Sequence, residues 1–440
     1  MHDVKDVLDY NILTDIRLLA LNILLKLIEV NTSFVALIPE IAEPIFNLCK
    51  EISNVESKLT IFEFFEYSIV GDFPQYYGII WEICEDSYQS CRDSSTDTIN
   101  LKSKVTNILI KLIEVTDVEY QKVPFLINIL EECLQEDEAI NLGLLQEVGF
   151  HFFGKLMMKL NLQQLSEECI QKMVRLIQIV CKISLDIFDF IPLTVIILEN
   201  SLLAEIDIVN QVIGQNLSQF IPVWFTDLKD SSLKYYFDLV EIYLRVDKNN
   251  RAEFSLHLLE QILHYMKAGT ETNFALLAGL LRVLGRLTFE DVEALHNVLN
   301  ALSPKLEVAD CKYSLLSTFY EFLKEETVYS SYYIKKSFVF YAFAILSSYI
   351  KELEANEGIN LNQMALASNN IFENDFKMIL QVFCKCLSEL YAYDSAQLEL
   401  VEPEISLNVE AMMEDDLHLK VNEFNIKSFK NFNKVINFFN

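Results

Sequence analysis

The strongest metal-binding pattern in the sequence is Glu253, His257, Glu260 and His264. Steps of four, three and four put all of them on one face of a helix, where carboxylate and imidazole groups could ligate a divalent ion. Carboxylate-bridged sites in helical bundles take matching ligands from other helices, and no second such cluster occurs in the chain. The expectation is therefore a solvated Glu–His ladder with i,i+4 pairing. Cys384-Lys-Cys386 lacks the two-residue gap and nearby His of a zinc site and is expected in a helix core. No Gly-rich phosphate loop, G-x-S-x-G, H-E-x-x-H or EF-hand spacing is present. Gly149 and Gly154 flank His151, but the bulky residues between them suit close helix packing better than a phosphate cradle. No catalytic residue, metal or cofactor is called for, and an enzyme is not expected.

Two acidic clusters are the remaining candidates. Glu131, Glu132, Glu136, Asp137 and Glu138 end one helix and its turn, and Glu414, Asp415 and Asp416 lie in a stretch free of Lys and Arg. Either could meet a protein partner lying in the groove of the array, and either could be a solvated helix end. The whole chain leans the same way, with 64 acidic against 35 basic residues and a formal charge of −29. Such a field repels a phosphate backbone, which argues against nucleic-acid binding, and attracts basic protein segments. Acidity alone would also keep an apolar-rich protein in solution.

The elements that must position these residues are helices in repeats. Asn22–Val30 reads N-I-L-L-K-L-I-E-V and returns at Asn107–Val115 as N-I-L-I-K-L-I-E-V, 85 residues later. The same offset carries Pro39 onto Pro124, so each unit is an apolar helix, a polar turn, an apolar-Pro dipeptide and a second apolar helix. Proline fits a first turn because the N–H it lacks has no intrahelical partner there. A further shift of 68 carries Pro124 onto Pro192, placing Arg175 to Ile183 where the nonapeptide stood, which predicts a third copy. Phe73-Pro74 and Ile221-Pro222 supply two more helix starts. Half of 85 is about 42 residues, the length of a HEAT-type helical hairpin, in which no pair buries its apolar face alone. The fold expected is an all-α solenoid over 1–394, then an acidic insertion over 395–420 and a C-terminal amphipathic helix over 421–440.

Within that frame the 3.6-residue apolar period places helices at 4–30, 38–52, 56–70, 74–89, 100–115, 123–136, 139–160, 166–184 and 191–204. Further helices are expected at 206–219, 222–229, 231–246, 251–267, 272–287, 289–301, 308–325, 329–352 and 372–392, with a loop at 355–370. No polar cap precedes the first helix, so it reads as an interior repeat of a longer array. Nine scattered Cys suit free thiols in apolar helix faces of an intracellular protein. Neither a signal peptide nor an apolar run of ~18 residues is evident, so no membrane span is expected.

Ile16-Arg17-Leu18-Leu19-Ala20, the nonapeptide and Ile38-Pro39-Glu40-Ile41 together resemble the middle repeats of karyopherin-β nuclear transport receptors. So does Phe73-Pro74 running through Ile80 to Trp81. Lys335-Lys336-Ser337-Phe338 through Leu346, with Asp415-Asp416-Leu417-His418-Leu419 and the closing Phe/Lys segment, resembles the C-terminal end of the importin-eleven branch. The resemblance implies a receptor carrying protein cargo through nuclear pores between nucleus and cytoplasm, with nuclear pore proteins and the small GTPase Ran as partners. Family members place their main Ran-binding surface in N-terminal repeats that have no counterpart here, so only the C-terminal half is resembled. A static HEAT scaffold for an intracellular complex is the alternative that the same features allow.

Overall fold

The computed structural model describes residues 2–390 apart from 53, 92–94, 136–141, 228–229, 269–273, 308–309, 325–331, 356–378 and 380. Helices pair in chain order: α1 (His2–Val30) with α2 (Ile38–Glu51), α3 (Val55–Val70) with α4 (Tyr77–Ser90), and α5 (Thr96–Val115) with α6 (Val123–Cys133). Next come α7 (Leu142–Lys159) with α8 (Glu167–Asp186), α9 (Ile191–Leu203) with α10 (Asp207–Asp227), and α11 (Asp230–Val246) with α12 (Arg251–Ala268). The chain continues through α13 (Phe274–Glu290), α14 (Val292–Lys305), α15 (Cys311–Lys324) and α16 (Tyr332–Ala355). Residues 379 and 381–390 are also helical, and no strand occurs among the described residues. The architecture is the expected all-α stack of helical hairpins.

The packing sorts these helices into two rows. α1, α3, α5, α7, α9, α11, α13 and α16 each lie against the next in the first row. In the second, α6, α8, α10, α12 and α14 follow one another, and α2 lies against α4. Row neighbours meet through apolar stripes at helical spacing. On α5, Leu101, Val105, Ile108, Leu109, Leu112 and Ile113 are all buried, each such side chain contributing about 1.5–3 kcal/mol relative to exposure. Ser95 starts that helix by accepting the Thr98 N–H, and Asn54 does the same for α3 at 2.9 Å from the Ser57 nitrogen.

The corners between rows share a construction. A short 3-10 turn and an early proline lead into α2, α4, α6 and α9, at Pro39, Pro74, Pro124 and Pro192. The nonapeptide copies sit in α1 and α5, both in the first row, so the 85-residue offset is two hairpins. The third copy fails. Pro124 opens α6 in the second row, whereas Pro192 opens α9 in the first, because a proline corner serves a chain crossing in either direction. Two other expectations change. The segments 206–219 and 222–229 are one helix, α10, held at its end by stacking of the buried Phe220 and Trp224 rings 4.2 Å apart. The segments 308–325 and 329–352 are not a row-one/row-two pair: α15 packs on α13, α14 and α16, and α16 continues the first row directly from α13.

By its internal contacts the chain divides into Met1–Cys384 and Lys385–Asn440. In the second unit residues 385–390 are helical. The expected acidic insertion, the C-terminal helix and most of the 355–370 loop fall outside the described residues.

Candidate protein-binding surface

α2, α4 and α6 present a one-sided charge. Every charged residue in these helices except Lys50 is acidic. Burial explains the arrangement. On α2, Ile38, Ala42, Ile45, Leu48 and Cys49 turn into the stack and leave Glu40 and Glu43 exposed. On α4, Ile80, Ile83 and Cys84 turn in, and Glu82 and Asp86 stand out. On α6, Ile127, Leu130 and Cys133 are buried, Glu131 is half-buried and Glu132 exposed. The helices are joined through rings: Phe46 lies 5.5 Å from Tyr76 at the entry to α4, and Tyr88 of α4 meets Phe125 of α6 edge-on at 6.1 Å. First-row helices α1 and α5 by contrast mix Lys and Arg with their acids, while α3 carries Lys58 beside three acids as α2 carries Lys50.

Among the described residues three bases reach this surface from outside the three helices, the first being Arg17 of α1, 3.9 Å from Glu51. The Lys102 ammonium of α5 sits 2.8 Å from the Glu132 carboxylate and 5.2 Å above the Tyr88 ring, while Lys122 lies 4.5 Å over Trp81. Of the acids expected to meet a partner, Glu131 and Glu132 therefore belong to a wider acidic row, one of them already paired. Glu136, Asp137, Glu138, Glu414, Asp415 and Asp416 lie outside the described residues. Sequence reasoning missed Glu40, Glu43, Glu82 and Asp86 because they form no run; the findable signal was acids without bases on successive proline-started helices.

A second charged feature lies inside the stack. Glu241 of α11 is fully buried and receives the Tyr333 hydroxyl of α16. Arg282 of α13 donates to Asp238 and places its Nε 2.7 Å from Glu241 Oε1, close but out of line for a hydrogen bond. Arg286, one turn further on, is 3.4 Å from Glu290 and 3.9 Å from Glu241. Arg251 bridges Glu290 to the Leu244 carbonyl at the end of α11. Burial opposes the charge on Arg282, yet Glu241 and Asp238 outweigh it and hold the guanidinium above its ordinary range. This network ties α11, α13 and α16 together. Its only sequence signal is Arg282 and Arg286 standing i,i+4 in a helix apolar on every side.

The remaining sequence candidates are placed as follows. Glu253, His257 and His264 are exposed on α12, but the expected Glu–His pairing gives way to other partners. Glu260 takes the Lys305 ammonium of α14, which lowers its carboxyl, and His257 shares a hydrogen bond with Gln261 at 3.0 Å. Among the described residues no group of three His, Cys, Asp or Glu side chains is gathered to hold a metal. Cys49, Cys84, Cys133, Cys181 and Cys311 are buried as expected, whereas Cys169 is half-buried. Burial pushes the Cys49 thiol up to about 11 and the Cys133 thiol up to about 12, away from nucleophilic thiolate. Cys386 is buried but Cys384 is exposed. Gly149 does permit close approach, since a Cβ there would stand 2.8 Å from Cys133 Cβ; Gly154 has ordinary room. Thr32–Glu51 is apolar and long enough on average to cross a bilayer, but it comprises a 3-10 turn and α2, whose apolar side is packed into the stack and whose Glu40 and Glu43 are exposed.

In comparison with known proteins, no family model matches this chain and no curated protein matches it.

Proposed function

We propose that this chain is a protein-binding helical-repeat receptor that takes basic segments of partner proteins on the acidic row of α2, α4 and α6. The observation that carries this reading is that row's near-absence of positive charge beside a first row of mixed charge. An exposed ion pair contributes only about 0.2–1 kcal/mol, so useful affinity needs several pairs along the row, and salt weakens it. Such a surface suits an extended Lys/Arg-rich segment crossing successive helices. The finer proposal, supported by the sequence resemblance alone, is a karyopherin-type nuclear transport receptor whose cargo is released by Ran. The static scaffold is favoured instead by the buried ion network, which stiffens the stack from α11 to α16.

The test is titration of the full chain with a fluorescent Lys/Arg-rich cargo segment at low and high salt, beside a Glu40→Lys, Glu82→Lys, Asp86→Lys variant. All three side chains are exposed, so the variant keeps its fold. Binding should fall at least tenfold in the variant and weaken with salt. Binding indifferent to both would refute the surface. Adding GTP-loaded Ran then separates the finer proposals: cargo release supports the transport receptor, and a complex that ignores Ran supports the scaffold.

A further inference from the structure

α1 and α5 are built from the same nonapeptide, yet one of them is covered on a side where the other is open. Ile16, Ile23 and Leu27 of α1 are 58%, 54% and 42% exposed. Their counterparts 85 positions on, Leu101, Ile108 and Leu112 of α5, are 1%, 0% and 0% exposed. By contrast Ile28 and Ile113 are both buried, so the two helices face the interior of the stack alike. The open side of α1 is therefore the side that the preceding first-row helix covers in α5. That helix is α3. On α5 it is located by Glu66, whose carboxylate lies 2.8 Å from Lys104 and 3.5 Å from Lys111, and Ile108 sits between those lysines on the same helical stripe. Lys111 corresponds to Lys26, which instead pairs with Glu29 on its own helix at 2.8 Å. Ile23, Lys26, Leu27 and Val30 line a shallow groove.

We infer that this stripe of α1 is a docking surface for an amphipathic helix of the α3 kind, from outside these 440 residues, laid along α1 with a carboxylate level with Lys26. The equivalence of α1 with α5, whose matching side is covered by α3, selects this occupant. A second copy of α1 could set Asp15, eleven residues before Lys26 on the same stripe, against that lysine, and the sedimentation measurement below decides for or against it. The amphipathic segment 421–440 carries Lys427, Lys430 and Lys434 against a single acid, Glu423, and repeats the charge of Lys26. An α3-type helix supplies both parts: Phe62 and Ile69 one turn either side of Glu66 on its apolar flank, and Glu66 at the level of the second lysine.

The experiment uses the full chain and, as probe, a fluorescent synthetic peptide of residues 54–71, which keeps the Asn54 cap. Saturable binding is expected. Ile23→Asp should weaken it at least tenfold with an unchanged circular dichroism spectrum, since Ile23 is not part of the core. Lys26→Glu should weaken the native peptide several-fold and reverse the preference toward a peptide carrying Glu66→Lys. The inference is overturned if no saturable binding occurs, if Ile23→Asp binds equally well, or if sedimentation equilibrium shows a dimer of the chain that Ile23→Asp dissolves.

Discussion

Glu199 of α9 and Glu241 of α11 are both carboxylates enclosed by the first row, and their surroundings set them opposite tasks. Glu199 has no basic partner among the described residues to hold its charge: burial first, and Asp238 second, push its carboxyl up to about 7. Unfolded, a Glu titrates near ~4.3. Between those values the folded chain keeps the proton that the unfolded chain has lost. The contribution of Glu199 is therefore full below about pH 4.3 and drains away as the pH rises through 7, by at most about 1.4 kcal/mol per pH unit. Glu199→Gln should remove that slope, so thermal melts should show the variant gaining on the wild type at pH 8 relative to pH 5. Equal offsets at both pH values would contradict the assignment. Glu241 instead accepts the Tyr333 hydroxyl and lies within ion-pair distance of Arg282 and Arg286. Glu241→Gln leaves two buried guanidinium groups short of charge, and urea unfolding should show a loss of about 3–5 kcal/mol. Apart from the i,i+4 pair of Arg286 with Glu290, this network is not a local pattern. Tyr333 is 92 positions from Glu241 and Arg282 is 44 from Asp238, and charged residues are ordinarily read as solvent-facing.

At the scale of the element, the row contacts are where glycine matters, and two glycines should respond oppositely. A Cβ on Gly279 of α13 would fall 2.0 Å from the Phe237 ring of α11, inside any tolerable contact. Gly279→Ala should therefore cost about 1–3 kcal/mol through overpacking. Gly78 in the first turn of α4 has nothing within 4 Å of its would-be Cβ, so Gly78→Ala should stabilise by up to about 1 kcal/mol through helix propensity. Chemical denaturation of the two variants checks both signs. Much of the helical framework was legible because helix periodicity and proline starts are local signals. The nonapeptide placed α1 and α5 correctly in equivalent positions because its Ile28 and Ile113 side faces the interior of the stack in both. Pro192 misled because a proline corner records only that a helix begins, not which row it enters. Pro222 misled for a related reason: Phe220 stacks on Trp224 across that position, and the contacts of Trp224 and Phe225 with Tyr236 of α11 carry α10 on past it.

For the whole molecule, charge is unevenly shared between rows. The first row spends its bases on neighbours: Lys104 and Lys111 on Glu66, Lys155 on Glu114, Arg282 and Arg286 on the buried acids of α11. The second row from α2 to α6 keeps its acids at the surface with little to neutralise them. Of the partner-contacting acids expected from sequence, only Glu131 and Glu132 lie among the described residues. They mark the end of a surface whose other members are dispersed over three helices, which is why a search for acidic runs found one edge of it. The most direct measurement is zero-length carbodiimide cross-linking of the full chain to a bound Lys-rich partner segment, read by mass spectrometry. Cross-links concentrated on Glu40, Glu43, Glu82 and Asp86 are predicted, because an activated carboxylate is joined to the partner only where a partner amine lies against it. Cross-links falling instead on first-row acids such as Glu63 and Glu114, with the second row untouched, would contradict the account.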